Sequence, residues 1–537
     1  MRRKAMWIIG TAPVLCLVVA TLFAGCGGHR EPGTSLQPGR MGEMVLTVDW
    51  NRTRLIPPDT TTVVVTITGD GLANPVVDTI TRPANQSSVS KVYELPVGFK
   101  RITAEAKDAS GRTLASGTGQ AHLNEGQRSN VEIVMAEVTA RTVLVRIRGE
   151  APTFAAYQDG DGAWQTLPPN QTEYRLTVHD PAGRYGVLAV LEGSPGRGAD
   201  RTTVHILHAT VDEVPAIETE LDGGDDASRV AVSGTVLGIT PPEVAQIAIG
   251  DATGVAFQYY GYAYSLSALP GTHDVCASLS GGFHGSASKL FIRRNVPVLS
   301  EMSMDIDFNS ADAFDLGSTP LTIQGVGAGE IGNIQVFLRS NTGTTILLHG
   351  AYQTPLTDTS IATVPSQKLQ GNDIHQLLLM PYDTEGSRQV FRYFKSVDSL
   401  TVGLPAPIGE VVLQQVATDP YLRLQAQWQA YAGAQGYFLN FMADVPRSRS
   451  RGRTYSGTDW SVALTTGWLG GQTNYTIPDF SGLTGWNNAW GLQRLGYLQW
   501  RVAAFTSNRS VSDAILHESN AVDGLELRLA GREGSLG

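Results

Sequence analysis

Short runs in which apolar and polar residues alternate, each closed by Gly, Pro, Asn or Asp, set the tightest limit on what this chain can fold into. In "TTVVVTITGDG" Val63, Val65 and Ile67 recur at every second position, and in "YLRLQAQWQ" Leu422, Leu424, Ala426 and Trp428 do the same. A period of two gathers the apolar set on one face of a strand, so these runs read as half-buried antiparallel strands. Helix signals are nearly absent, and 59 glycines with 27 prolines supply frequent turns. Many short strands with turns between them make sandwiches or barrels. At 537 residues the chain is too long for a single core, and length alone suggests about three to five domains. The expected class is all-β, a tandem array of about five antiparallel β-sandwich domains.

Three stretches share one pattern: a proline, then a glycine, with Ile or Val four residues and Ala six residues beyond the glycine. They are "LPVGFKRITA" (Pro96, Gly98, Ile102, Ala104), "DPAGRYGVLA" (Pro181, Gly183, Val187, Ala189) and "LPGTHDVCA" (Pro270, Gly271, Val275, Ala277). Pro and Gly make the turn, and the i, i+2 apolar pair puts two side chains on the core face of the strand that follows. The glycines lie 85 and 88 residues apart, the size of one small sandwich. The element resembles the turn and strand of transthyretin-like and carboxypeptidase-regulatory-like sandwich modules of envelope proteins. Together with polar linkers at "LDGGDDAS" (221–228) and "NSADAFDLGSTP" (309–320), and the strand-stopping prolines of "GLPAPIGE" (403–410), it divides the chain. Sandwiches are expected over 43–137, 138–221 and 229–311. A fourth, divergent one over 319–405 is strand-like but departs from the repeat, and a fifth domain covers 409–533.

In that last domain "LQAQWQAYAGAQGYFLNF" presents Trp428 and Tyr437 as core aromatics, and "LQWRVAAF" turns Trp500, Val502 and Ala504 inward. With "TNYTIPDFSGL" between them, these stretches resemble the second and third, the fifth, and the sixth strands of a fibronectin type III domain. The resemblance implies a spacer or binding module rather than a catalyst. Two loops exceed what such a domain needs: "PRSRSRGRTYSG", with Arg447, Arg449, Arg451 and Arg453, and "TGWNNAWGLQRLG", with Trp486 and Trp490. Both are expected at one pole of the sandwich. There arginines beside indoles could hold an anionic glycan or phosphate-bearing surface through charge-assisted bonds and ring stacking. The alternative is a solvated arginine loop with the tryptophans folded back as a lid on the core, because large aromatics carry burial first.

The amino terminus reads differently. Met1-Arg2-Arg3-Lys4 precedes an apolar run from Ala5 to Ala24, interrupted by Thr11 and Thr21. A short cationic start, a greasy middle and small residues before a break make an export signal, although the run is also long enough for an uncleaved anchor. Leu22-Phe23-Ala24-Gly25-Cys26 resembles the lipobox of bacterial lipoproteins, with Phe23 where that family most often has leucine. The resemblance implies cleavage after residue 25 and acylation of Cys26, a membrane anchor stable because it carries more than one chain. Residues 26–42, beginning "CGGHREPGTSLQPGR", are a flexible tether. The expected location is the cell envelope, the mature part outside the cytoplasm. Gly27, in place of the aspartate that retains some lipoproteins at an inner membrane, points to an outer membrane or cell surface. Three cysteines leave Cys276 without a disulfide partner, and it reads as a small packed or edge side chain.

The formal charge of −10 becomes −13 once Arg2, Arg3 and Lys4 leave with the signal, which argues against bulk nucleic-acid binding. In "YQDGDGAWQTL" Asp159 and Asp161 invite a calcium reading, but Ala163 and Trp164 stand where an EF-hand needs an oxygen ligand and a glycine. A hairpin with an Asp-Gly turn explains the stretch. His205 and His208, three apart on a strand, point to opposite faces and read as edge or surface residues. No phosphate loop, nucleophile elbow or HExxH motif occurs, and neither cofactor nor metal is expected. The reading is a lipid-anchored envelope protein, not an enzyme, that serves as a spacer or binds an envelope glycan or another envelope protein through its distal sandwiches. The other reading is an envelope polysaccharide- or peptidoglycan-acting hydrolase or accessory subunit.

Overall fold

Alternation on this scale folds as expected: the structure, a computed structural model, is all-β, with two short helices among the described residues, Thr466–Leu469 and Val511–Ile515. It describes residues 40–536 apart from 50–56, 58, 73, 84–87, 132, 134, 138–139, 150, 193–198, 222–228, 283–284, 383–386, 450–451, 494–496 and 518–520.

The first four sandwiches repeat one topology. In the first, Met41–Asp49 runs antiparallel to Ser88–Pro96 and parallel to Arg128–Val131. Facing this sheet lie Val76–Thr81, Thr62–Gly69, Gly98–Lys107 and Thr113–Leu123, in that order. Numbered along the chain, the order is 4-1-7 against 3-2-5-6. The same order recurs around Arg141–Gly149, around Val230–Leu237 and around Gly317–Gln324 as central short-sheet strands. The repeated motif always opens or precedes the fifth strand, and its apolar pair faces the core: Ile102, Val275 and Ala277 are fully buried, and Val187 and Ala189 pack on their own core. Gly98 and Gly183 have φ of 109° and 69°, the left-handed region that a side chain strains.

The fourth sandwich keeps this order with no Pro-Gly signal. There Gly371 makes the turn at φ 53°, and His375 and Leu377 take the two inward positions, both fully buried. His375 is accommodated because its Nε2 accepts the Val364 N–H at 2.9 Å while Nδ1 donates to the Lys395 carbonyl at 2.9 Å. A polar residue at an apolar position hid the repeat. The stretch 309–320 is not a free linker either: Ala313–Asp315 pairs with Ala287–Val298 and extends the third sandwich.

The fifth sandwich differs, with Val411–Ala417, Arg423–Trp428 and Asn474–Thr476 facing Gly452–Thr465, Gly436–Arg449, Tyr497–Ser507 and Glu526–Leu536. Its larger sheet is not separate. On one side Gly452–Thr465 pairs parallel with Ala199–Thr210 of the second sandwich. On the other Glu526–Leu536 pairs antiparallel with Ser387–Phe394 of the fourth. Three four-stranded sheets thus join into one of twelve strands, and four exposed edges that would invite aggregation become paired. The faces of this wall serve different cores. Val204 and Ile206 join Leu439, Val462 and Val502 under the short sheet of the fifth sandwich. Leu207 and Ala209 face the core of the second sandwich on the opposite side.

Candidate functional site

Cys26 and Arg451 lie outside the described residues. Arg447, Arg449 and Arg453 lie on the hairpin between Gly436–Arg449 and Gly452–Thr465, where Arg449 pairs with Gly452; the backbone is described there and the side chains are not. The indoles sit elsewhere. Trp490 is 5% exposed, accepts the Trp460 Nε1–H at its carbonyl at 2.9 Å and donates its own Nε1–H to Glu192 of the second sandwich. Trp486 stands edge-on to Phe154 at 5.7 Å and contacts Phe480 at 5.1 Å. Trp460 pairs with Phe441, eight residues before Arg449, or roughly 26 Å along the strand at ~3.3 Å per residue. The structure does not bring the hairpin tip and Trp490 together. The tryptophans instead seat the fifth sandwich on Phe154 of the second.

Local bonding and burial account for the other residues that drew notice. The Asp159 carboxylate accepts the backbone N–H groups of His179 and Asp180 at 2.9 and 3.0 Å, and Asp161 pairs with Arg184 at 2.7 Å. Both are committed to the neighbouring turn and strand at 179–184, and among the described residues no cluster of three metal-ligating side chains occurs. His205 and His208 do point to opposite faces. His208, however, is neither an edge nor a surface residue: it is 1% exposed, packed against the tilted ring of Trp468 at 4.1 Å, and burial pushes its imidazole pKa down to about 3. The physical reason is the parallel pairing with Gly452–Thr465, which turns a sandwich's edge strand into an interior one. Cys276 is fully buried between the third and fourth sandwiches beside Leu338 and Leu348, and burial, with Asp274 adding to it, pushes its thiol pKa up.

Two cavities among the described residues bear on function. One, of about 1880 Å³, lies between the third and fourth sandwiches and the segment after Val511, with Asp251, His273, Arg339, Lys395 and Asp523 on its walls. The other, of about 670 Å³, exists only because the wall is continuous. Its floor draws on strands of the second, fourth and fifth sandwiches, and Ile147, Ile217, Ile515 and Leu516 close over it.

That floor is amphipathic. Residues paired across strands share a face, and His205 pairs with Ser461, Ser461 with Asn440, Asn440 with Arg501, and Arg501 with Glu533. These five residues make one polar row across five strands. Two positions further along, Leu207, Ala463, Phe438 and Ala503 make an apolar row. Within the polar row Arg501 is anomalous: its Nε and Nη2 are sealed from solvent without a hydrogen-bond partner. Burial holds its pKa below the usual guanidinium value, with Glu533 acting the other way, yet Glu533 is exposed and bonds to neither of those two nitrogens. Burial likewise lowers the pKa of His205, against Asp459.

Sequence reasoning missed this site. Val502-Ala-Ala-Phe505 is continuously apolar, the mark of a strand covered on both faces, so Arg501 had to be covered too.

No family model matches the chain, and no curated protein matches it. A leucine-rich repeat protein from Bacteroides thetaiotaomicron is similar at 11% identity and a TM-score of 0.16, over 34% of this chain and 26% of that one. A pilus-presented adhesin, Spy0125 (Cpa), is similar at 8% identity and a TM-score of 0.12, over 67% of this chain and 98% of that one. At such scores neither likeness bears on function. Among the described residues no helix is long and apolar enough to cross a membrane.

Proposed function

We propose that this chain is a lipid-anchored envelope protein whose body works by binding rather than by turnover. The observation that carries the reading is the fused wall with a cavity at its junctions. A spacer of independent beads needs neither, whereas a cavity of hundreds of Å³ lined mostly by apolar groups with a few polar ones has the character of a ligand site. Pairing with the wall fixes the fifth sandwich against the second and fourth, so the cavity is held open by backbone hydrogen bonds rather than by mobile loops. The anchoring half rests on Leu22-Phe23-Ala24-Gly25-Cys26, with the tether through residue 42 giving the body reach from the membrane.

Intact-mass analysis of the native protein, with detergent partitioning of wild type and Cys26→Ser, tests it. The expected mature chain begins at a Cys26 carrying acyl mass and follows the detergent, and the variant loses that mass. A native chain that begins elsewhere, or stays in the aqueous phase, overturns the anchoring.

A further inference from the structure

We propose that the 670 Å³ cavity binds a single-chain anionic amphiphile, with Arg501 receiving the head group and the Phe438–Ala503 row receiving the chain. This rests on the binding reading above and gives it a ligand class. The first argument is the cationic group. A guanidinium carries five donors and stays charged in proteins, and burying it without a carboxylate or carbonyl is costly. Here two of its nitrogen atoms lie inside with nothing to donate to. An anionic oxygen pair is the group that satisfies that fork in two parallel bonds.

The second argument is the order of the rows. Asn440 and Ser461, joined at 3.3 Å, continue the polar line from Arg501 to His205, so a head group finds further donors along one straight edge. One residue pair away the floor turns fully apolar, and Phe391 and Leu529 extend it. Polar head and apolar chain are thus separated in one direction only, as in an amphiphile and unlike a sugar, whose polar groups surround it. The third argument is the opening. Asn440 and Arg501 also line an adjoining 360 Å³ cavity, with Tyr497, Gln499 and Glu533. Arg501 therefore stands where the two cavities meet, at one end of the apolar chamber, where a head group belongs. A carboxylate and a phosphate would satisfy it alike, so a free fatty acid and a one-chain phospholipid are the two sources.

The test is photo-crosslinking of the full chain in its membrane fraction with a diazirine-bearing palmitate, adducts being mapped by peptide mass spectrometry. Adducts are expected on Gly436–Arg449 and Tyr497–Ser507, with unlabelled palmitate competing and hexadecanol, which lacks the charge, not competing. Competition by lysophosphatidic acid as well identifies the phosphate source as acceptable; competition by palmitate alone restricts the ligand to carboxylates. Arg501→Met removes the charge at similar length. It is expected to lower labelling at least tenfold while leaving the melting temperature unchanged or higher, because an unpaired buried cation stabilises nothing. A merely structural arginine would lower the melting temperature instead. Absence of adducts on these strands, equal competition by hexadecanol, or undiminished labelling of Arg501→Met overturns the ligand class. The anchoring test does not involve this cavity, so the two readings fail separately.

Discussion

Replacing Arg294 by Met exposes how the third and fourth sandwiches are held together. Its guanidinium donates to Asp274 at 2.9 Å and to both oxygens of Asp373 at 2.9 and 2.5 Å, and each carboxylate is 1% exposed. Arg294→Met leaves two buried charges, and breaking a buried pair from one side costs about 3–5 kcal/mol. The value expected here is at the low end, about 3 kcal/mol, because three backbone donors remain: Asn295 to Asp274, and Asn341 and Gln370 to Asp373. Burial pushes the Asp274 carboxyl up, but the Asn295 N–H and the Arg294 guanidinium outweigh it and hold the pKa below the usual carboxylate range. A lowered folded pKa contributes stability that is present above the unfolded value near 3.9 and is lost as pH falls through the folded one. Without Arg294 the folded pKa of Asp274 rises, so the variant's deficit is full at pH 7 and shrinks as that carboxylate protonates. Cys276, fully buried in the same interface, reports opening: its modification by dithiodipyridine is followed by peptide mass, as the variant-to-wild-type ratio at each pH. At about 1.4 kcal/mol per decade, 3 kcal/mol predicts a ratio of roughly a hundred at pH 7 that declines towards pH 4.5. A ratio near one at pH 7, or one that grows on acidification, refutes the argument.

Three further outcomes follow from the junction of the second and fifth sandwiches. Phe154→Ala removes the ring beneath Trp486 and Trp490, at about 3–5 kcal/mol; tryptophan fluorescence in urea should show an earlier transition, and an unshifted midpoint would contradict the seating described. Gly467 donates its N–H to Glu213 at 2.8 Å, and a Cβ there would stand 2.5 Å from the same carboxylate, so Gly467→Ala should lower stability by about 1–3 kcal/mol, read by thermal melting. His208 stays neutral in the fold to about pH 3 but takes a proton near pH 6.5 when unfolded. The unfolded state then binds more protons, so stability held above pH 6.5 is lost on acidification at about 1.4 kcal/mol per pH unit. His208→Phe should flatten the fall in urea midpoint between pH 6 and 4; an identical slope in the variant would show that the imidazole is not the titrating group.

Side chains that decide local packing were readable in order along the chain. Val63, Val65 and Ile67 alternate because one face of their strand is buried, and all three are at most 1% exposed. Trp428 and Tyr437, read as core aromatics, are 3% and 4% exposed. Where a polar residue took a core position, as His375 did, the pattern failed locally although the backbone did not change course. Arg501 was hidden for a related reason: one charge in a strand looks like the solvent face until something covers that face.

The primary sequence by itself determined the all-β class, the repeat and the inward faces of its strands, since these follow from turn chemistry and a period of two within a few residues. Only the tertiary structure decided that three sheets become one, pairing strands whose ion pair, Arg201 to Asp459, joins residues 258 apart. Strand edges meet through backbone N–H and C=O groups, which every residue but proline carries alike. Partner choice at an edge therefore leaves little trace in side-chain order, and the cavity built on that choice leaves less.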